Sequence, residues 1–185
     1  MKQWNWQKKI FLKLVFFLFF VFNYASAEIF IVGNAKVSDA DTIKISKYKI
    51  RLYGIDAPEK KQICQRPYLN LGFFSLYEDY FCGEFATDKL KKFIENELII
   101  ECRVNDKKDF FGRHLGVCYK NKININQWLV ENGYAVAFIK YSKDYVKFEE
   151  IAKKNKVGIW AGEFLMPWEW RKKKKIIYKQ LNDSK

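Results

Sequence analysis

The sequence predicts a domain of the α+β class that is mainly β, with a small barrel of short strands at its centre. Three segments between residues 28 and 55 are rich in Ile, Val, Thr and Tyr at roughly alternating positions, the pattern of strands that bury one face. Segments with helical periodicity follow and alternate with further strand-like segments. At 185 residues the chain has the length of one domain and can bury a sizeable core.

The elements are expected in the order three strands, helix, two strands, helix, strand, helix. Several short antiparallel strands with few helices are typical of a five-stranded, partly open barrel, and we therefore predict an OB-fold with three helices. Such barrels commonly bind oligonucleotides, although a fold alone does not determine function. The predicted strands cover 28–37, 41–46, 48–55, 98–104, 113–120 and 134–141, the helices begin near residues 84, 124 and 142, and residues 60–82 form a loop.

The first 27 residues have the composition of a secretory signal peptide. Lysines at positions 2, 8 and 9 precede an apolar run at 14–22, and the small residues at 25–27 match a cleavage site. The run is shorter than the roughly 20 residues that a membrane-spanning helix needs, although an uncleaved membrane anchor is the alternative. We expect the mature protein to begin at Glu28 and to be periplasmic or secreted.

Four cysteines, an even number, fit an exported protein with disulfide bonds. Cys102 and Cys118 are equally far from the middle of a polar turn between two predicted strands, so they should face each other at a separation that a disulfide spans. Cys64 and Cys82 then close the segment between them. Four cysteines allow three pairings, but we predict Cys64–Cys82 and Cys102–Cys118. A metal site is the weaker reading, because the single histidine, His114, falls in no ligand pattern.

The formal net charge of +13 is concentrated at the ends of the chain. Residues 171–185 contain seven Lys or Arg and one Asp, whereas residues 28–170 contain 23 Lys or Arg and 20 Asp or Glu. The basic C-terminal tail has two interpretations. It either attracts phosphate backbones or anionic surfaces weakly, or it is simply a solvated chain end. In both readings the tail lies outside the functional domain, and its deletion should leave turnover nearly unchanged.

The candidate chemical groups are carboxylates and arginines at strand ends and turns. One histidine excludes mechanisms that need a histidine pair, and the sequence has no glycine-rich phosphate loop or nucleophilic serine motif. Aspartate oxygens suit hard cations such as Ca²⁺ or Mg²⁺, and arginine suits phosphate because its planar guanidinium donates two parallel hydrogen bonds. Composition alone favours ordinary surface charges. The candidates are Asp39, Asp41, Asp56, Glu59, Arg51 and Arg113.

The order and spacing of three motifs favour a functional site over ordinary surface charges. "DADT" at 39–42, "RLYGIDAPE" at 51–59 and "FGR" at 111–113 resemble, in order and spacing, the staphylococcal nuclease or thermonuclease-like family. "GIWAGEF" and "PWEW" near the end resemble its exported bacterial members. The resemblance implies calcium-dependent hydrolysis of DNA and RNA with low sequence specificity, leaving 3′-phosphates. It implies no stable protein partner, and we expect a monomer.

The resemblance also implies a role for each site residue. Asp41 and Asp56 match the side-chain ligands of Ca²⁺, and Ala57 matches the residue that contributes its backbone carbonyl. A calcium ion held by these residues is therefore expected.

Three further residues match the catalytic groups of the family. Glu59 matches the general base that orients the attacking water, and Arg51 and Arg113 match the two phosphate-binding arginines. Gly54 and Pro58 shape the turn that presents these groups.

Two local features conflict with regular strand and turn geometry at the predicted site. Arg51 and Asp56 are five residues apart, so a regular strand would point them to opposite faces, and they share a site only if the chain bends near Gly54. Ala40 stands where the family often has glycine, and a positive φ there would strain the turn.

Aromatic residues lie next to the motifs. Phe110 and Phe111 are expected to pack at a loop tip, with base stacking as the alternative. The aromatic segment 66–81 is expected to be a packing loop held by a disulfide, with a base-stacking flap as the alternative.

Two other functions compete with the nuclease. One is a non-catalytic OB-fold that binds nucleic acid, as in relatives whose sites have decayed, and the other is a surface-interaction protein that uses the basic tail. The presence of all five side chains that the resemblance assigns to the site favours the nuclease.

Overall fold

The computed structural model describes residues 28–95 and 99–183. The predicted signal peptide, residues 1–27, lies outside this part. The strands are β1 (Ile29–Asp39), β2 (Thr42–Ile45), β3 (Tyr48–Leu52), β4 (Ile55–Asp56), β5 (Ile63–Asn70), β6 (Ser75–Phe81), β7 (Ile99–Lys108), β8 (His114–Lys120), β9 (Ile123–Asn124) and β10 (Val136–Ala137). The helices are α1 (Cys82–Glu95), α2 (Ile125–Glu131), α3 (Val146–Asn155) and α4 (Pro167–Asp183), with a 3₁₀ turn at Gly158–Ala161.

Five strands form a closed barrel, which confirms the predicted fold. Their order is β3-β2-β1-β7-β8, with β9 beside β8, and a parallel pairing of β3 with β8 closes the barrel. Alternate residues point inward, as the two-residue period of strands requires. The barrel interior includes fully buried Ile43, Ile50 and Ile100.

Helices cover the barrel through apolar faces. In α1, Ala86, Leu90 and Ile94 are buried, and their spacing of four residues places them on one side of the helix. Helix α2 begins after Asn124, whose side chain accepts a hydrogen bond from the Gln127 amide; this is an ordinary N-cap.

The prediction of three helices was one too few. Residues that had been assigned to the C-terminal tail form most of α4. The predicted boundary between residues 170 and 171 therefore falls inside a helix, where the chain has no structural break. Within the described residues, the structure contains no helix with both the length and the apolarity to cross a bilayer.

The loop predicted at residues 60–82 is an antiparallel hairpin of β5 and β6. Pro67 and Gly72 interrupt the alternation of the sequence there, and the pairing accommodates Pro67 by a register shift before Leu69. The predicted strand 134–141 is also wrong beyond two residues. After β10 the chain turns back, with the amides of Tyr141 and Ser142 bonded to the Phe138 carbonyl.

Both predicted disulfides are present. Cys102 and Cys118 are direct partners in the pairing of β7 with β8, with their Cα atoms 4.0 Å apart. Cys64 and Cys82 join the start of β5 to the start of α1, with Cα atoms 5.6 Å apart. One link ties two barrel strands together, and the other ties the hairpin to α1.

Candidate active site

Asp41 lies in the tight turn between β1 and β2. Its side chain is buried, and it accepts hydrogen bonds from the Thr42 hydroxyl at 3.1 Å and from the Ala57 amide at 3.2 Å. The Asp41 amide donates to a carboxylate oxygen of Asp39 at 3.2 Å. Ala40 is not among the residues with positive φ, so the strain considered for this turn does not arise.

A bend at Gly54 brings Asp56 to Arg51. Strand β3 ends at Leu52, Gly54 adopts a φ of +77°, and β4 then pairs with β10. A Cβ atom at Gly54 would lie 2.9 Å from a ring carbon of Tyr145, so glycine is required both by the backbone angle and by the packing. The Arg51 Nη2 atom reaches Asp56 Oδ1 at 2.7 Å as a result.

Arg51 bridges the two aspartates. One of its terminal nitrogens pairs with Asp41 and the other with Asp56, whose side chain is fully buried. Burial lowers the pKa of Arg51, but the charges of Asp41 and Asp56 outweigh that effect and leave it raised. The guanidinium is therefore a permanent charge between two carboxylates, with 19% of its side chain exposed.

Glu59 lies on a turn whose backbone is fixed while its carboxylate is accessible. The Glu59 amide donates to Gln62 Oε1 at 3.3 Å. Fully buried Gln62 in turn donates to the Leu165 carbonyl at 2.6 Å. A Cβ atom at Gly83 would lie 2.1 Å from the Glu59 carbonyl oxygen, so the start of α1 packs directly on the turn. The Glu59 side chain is 43% exposed, which suits a group that meets solvent and substrate.

Arg113 enters the same cavity from the turn between β7 and β8. Asp109 holds it with bonds to the Arg113 amide at 2.9 Å and to its Nε at 2.8 Å. Burial raises the pKa of Asp109, but these hydrogen bonds outweigh it and hold the pKa below its usual value. A cavity of about 310 Å³ is lined by all the predicted site residues except Asp56, namely Asp41, Arg51, Ala57, Glu59 and Arg113.

The sequence analysis missed one arginine of the site. Arg171, in the first turns of α4, donates from Nη2 to Asp56 Oδ2 at 2.7 Å and from Nη1 to Asp56 Oδ1 at 3.1 Å. The same Nη1 atom lies 3.1 Å from Glu59 Oε1. Burial lowers the pKa of Arg171, but the hydrogen bonds and charges of Asp56 and Glu59 together outweigh burial and leave the pKa raised. Residues 171–185 are predicted to lie outside the functional domain, whereas the structure places Arg171 in contact with Asp56 and Glu59.

The carboxylates offer oxygen atoms of the kind that a hard cation prefers. Within residues 28–95 and 99–183, no three His, Cys, Asp or Glu side chains form a group arranged to hold a metal ion. The available donors are Asp41 and Asp56, which converge on Arg51, and the carbonyl of Ala57. Burial, followed by the charge of Asp41, raises the pKa of Asp39 to about 6. The donors present are thus oxygen atoms of the type that Ca²⁺ prefers, and in this structure the two aspartates are paired with Arg51.

An aromatic cavity adjoins the carboxylates. It has a volume of about 230 Å³, includes Arg51 and Arg113, and is lined by the rings of Tyr53, Phe110, Phe111, Phe138 and Tyr141. The expected packing of Phe110 and Phe111 is wrong, because the two residues are 97% and 74% exposed. Their rings meet edge to face, and the Arg113 guanidinium carbon lies 5.1 Å from the centroid of the Phe111 ring. Available ring faces of this kind suit base stacking.

The β5–β6 hairpin also departs from the expected packing loop. Tyr80 packs under Arg66, with 4.8 Å between the guanidinium carbon and the ring centroid. At the tip, however, Phe73 is 87% exposed and Phe74 is 43% exposed. The base of the hairpin is packed and its tip is free.

Comparisons with known proteins agree with the motifs. A family model described as staphylococcal nuclease homologue matches residues 49–162. An uncharacterized endonuclease of Haemophilus influenzae is 30% identical over 177 residues, covering 91% of this chain and 88% of its own. An uncharacterized endonuclease of Escherichia coli O157:H7 is 31% identical over 147 residues, covering 75% and 83%. The succinoglycan biosynthesis protein ExoI of Rhizobium meliloti is 32% identical over 135 residues, covering 72% of this chain and 66% of ExoI.

Proposed function

Since the chain belongs to the staphylococcal nuclease family and is a nuclease, we propose that it hydrolyses phosphodiester bonds of both DNA and RNA with Ca²⁺. The observation that carries this proposal is the shared cavity of Asp41, Arg51, Ala57, Glu59 and Arg113. The cavity combines an accessible carboxylate, two arginine forks and the buried aspartate Asp41, which are groups that phosphodiester hydrolysis needs.

The two arginines of this cavity would hold the scissile phosphate. Arg51 is fixed by Asp41 and Asp56, and Arg113 is fixed by Asp109. Each guanidinium keeps its charge at every relevant pH and can donate bidentate hydrogen bonds. Fixed donors aimed at a phosphate that gains negative charge stabilise the transition state more than the ground state.

Glu59 would accept the proton of the attacking water. Its carboxylate is the most exposed of the site, and its backbone is held by Gln62 and by the packing of Gly83. A positioned base of this kind contributes about 10²–10⁴-fold to the rate. Cleavage of the bond to the 5′ oxygen would leave a 3′-phosphate, as the family resemblance implies.

Ca²⁺ would be held by the carboxylates of Asp41 and Asp56 and by the carbonyl of Ala57. When bound, the ion supplies positive charge that offsets the phosphate and these carboxylates. The ion pairs with Arg51 and Arg171 satisfy Asp56 in the structure described here.

Low sequence specificity would follow because the neighbouring aromatic cavity would contact the substrate by stacking on its bases. Phe110, Phe111 and Tyr141 are exposed rings beside Arg113, and stacking on ring faces accepts every base. The same contact is available to DNA and RNA, because it does not involve the sugar.

We propose an exported protein, periplasmic or secreted. The two disulfides support this location, because disulfides persist mainly in oxidising compartments.

A plasmid-digestion assay with Ca²⁺ or with chelator tests the function. Purified residues 28–185 should degrade DNA and RNA in Ca²⁺ and stop when the ion is removed. End analysis should find 3′-phosphates. Nucleic-acid binding without any cleavage in Ca²⁺ would favour the non-catalytic OB-fold instead.

A further inference from the structure

Arg171 contacts the two carboxylates on either side of the Ala57–Pro58 segment. Its Nη2 atom lies 2.7 Å from Asp56 Oδ2, and its Nη1 atom lies 3.1 Å from both Asp56 Oδ1 and Glu59 Oε1. Within residues 28–95 and 99–183, Arg171 is the one side chain that hydrogen-bonds the carboxylate of Glu59. The orientation of that carboxylate therefore depends on a residue 112 positions further along the chain.

The helix that carries Arg171 is fixed to the site by independent contacts. Trp168 stacks on Phe138 with ring centroids 5.6 Å apart and an angle of 19° between the planes. Just before the helix, the Leu165 carbonyl accepts a bond from Gln62, whose other amide atom accepts from the Glu59 backbone. The start of α4 and the Glu59 turn thus share one buried glutamine, which fixes the position of Arg171 relative to Glu59.

We propose that Arg171 is a positioning residue of the nuclease reaction, which holds the Glu59 carboxylate in one orientation against the buried Asp56. This inference rests on the proposed function, in which Glu59 is the general base. A glutamate side chain with 43% exposure has several rotamers, and a base is effective only in the rotamer that meets the attacking water. Asp56 is fully buried and is also bonded to Arg51, so a guanidinium bonded to both carboxylates ties Glu59 to a side chain that is held in place.

Arginine suits this role better than lysine. One planar group with two terminal nitrogens bonds both oxygens of Asp56 and still reaches Glu59, whereas an ammonium is a single point of charge. A lysine at position 171 should therefore retain the charge and part of the bonding, but not the complete bridge.

The alternative is that Arg171 merely anchors α4. An anchor and a positioning residue give different kinetics. Loss of an anchor should be reproduced by any change that loosens the helix, including Trp168→Ala, which leaves Arg171 intact. Loss of positioning should be larger in Arg171→Ala than in Trp168→Ala, in which the guanidinium can still bond both carboxylates. The loss should appear in kcat rather than in KM, because it affects the base and not the phosphate-binding arginines.

The test compares steady-state cleavage of a short labelled DNA in Ca²⁺ by Arg171→Ala, Arg171→Lys, Trp168→Ala and Lys172→Ala. Lys172 is the matched control, because it is exposed and adjacent on the same helix, so its removal changes the net charge equally. We expect Arg171→Ala to lower kcat about 10²-fold, as expected when a catalytic group is misplaced by about 1 Å, with KM close to wild type. Arg171→Lys should recover part of kcat, and Lys172→Ala should match wild type.

Three results would overturn the inference. The first is an unchanged kcat in Arg171→Ala, and the second is a change in KM alone in that variant. The third is an equal loss of kcat in Trp168→Ala together with no recovery of kcat in Arg171→Lys. An equal loss in Lys172→Ala would also overturn it, because the effect would then follow the charge of the tail.

Urea denaturation of Arg171→Ala, Glu59→Gln and the double variant separates this inference from the proposed function. The midpoint shifts should be non-additive if the two side chains interact in solution, and this measurement needs no turnover. Additive shifts would overturn the inference even in an active enzyme. An inactive wild type with non-additive shifts would instead contradict the proposed function, and with it the catalytic role of Arg171. The contact between Arg171 and Glu59 would still be confirmed.

Discussion

Arg51 and Asp56 are five residues apart and are joined by a 2.7 Å ion pair across the bend at Gly54. The pair brings the end of a barrel strand and the following turn into one site. The proposed roles of Arg51 and Asp56 depend on this bend, because without it the two side chains would point to opposite faces of a strand.

Gly54→Ala should therefore reduce both stability and activity. An alanine at a φ of +77° costs about 1–2 kcal/mol, and its Cβ would press on the Tyr145 ring at 2.9 Å. Gly72→Ala is the matched control, because its φ is +84° and its Cβ would meet nothing within 4 Å. Urea denaturation and cleavage rates of both variants would measure the effect. Equal losses of stability, with cleavage intact in both, would contradict the role of the bend.

Arg113→Lys should lower kcat by roughly 10²-fold, the typical cost of losing one preorganised donor to developing negative charge. The substitution retains the charge but removes the fork that Asp109 orients at 2.8 Å. Arg103→Lys is the control, because Arg103 is half exposed and pairs with Glu28 outside the cavity. Steady-state kinetics on a short DNA check this prediction, and equal rates for the two variants would contradict it.

Asp41→Ala should weaken Ca²⁺ binding, so that excess Ca²⁺ restores part of the activity. The calcium affinity is measured directly by calorimetry in the absence of substrate, and the calcium concentration for half-maximal cleavage is measured in parallel. Asp88→Ala, on the exposed face of α1, should change neither value. A calcium affinity in Asp41→Ala equal to that of wild type would exclude Asp41 as a ligand.

Much of this arrangement could be predicted because it is local in the sequence. The partnership of Cys102 with Cys118 follows from counting outward from one turn, since strand pairing advances residue by residue on both sides. The bend at Gly54 could be stated as a requirement, because a glycine stands between two side chains that must converge. Both features depend on fewer than twenty residues of chain.

Arg171 could not be found in this way. Its partner Asp56 is 115 residues away, and no periodic pattern links them. The arginine is also followed directly by four lysines, so in the sequence it is indistinguishable from the other residues of a basic run. The one available signal was its position beside "PWEW", where two tryptophans indicate a docked helix rather than a solvated end. The exposed tip of the β5–β6 hairpin was missed for the opposite reason, since six aromatic residues in the short segment 66–81 ordinarily indicate packing.

The most direct test of the central claim is single-turnover cleavage of a short labelled DNA by wild type and Glu59→Gln in Ca²⁺, with DNA binding and circular dichroism measured on the same samples. The variant keeps the shape of the side chain and removes the charge that accepts the proton. We predict that it folds and binds DNA like wild type but cleaves about 10²–10⁴-fold more slowly. A wild type that shows no Ca²⁺-dependent cleavage, yet binds DNA as tightly as Glu59→Gln, would contradict the account and identify the protein as a binding module.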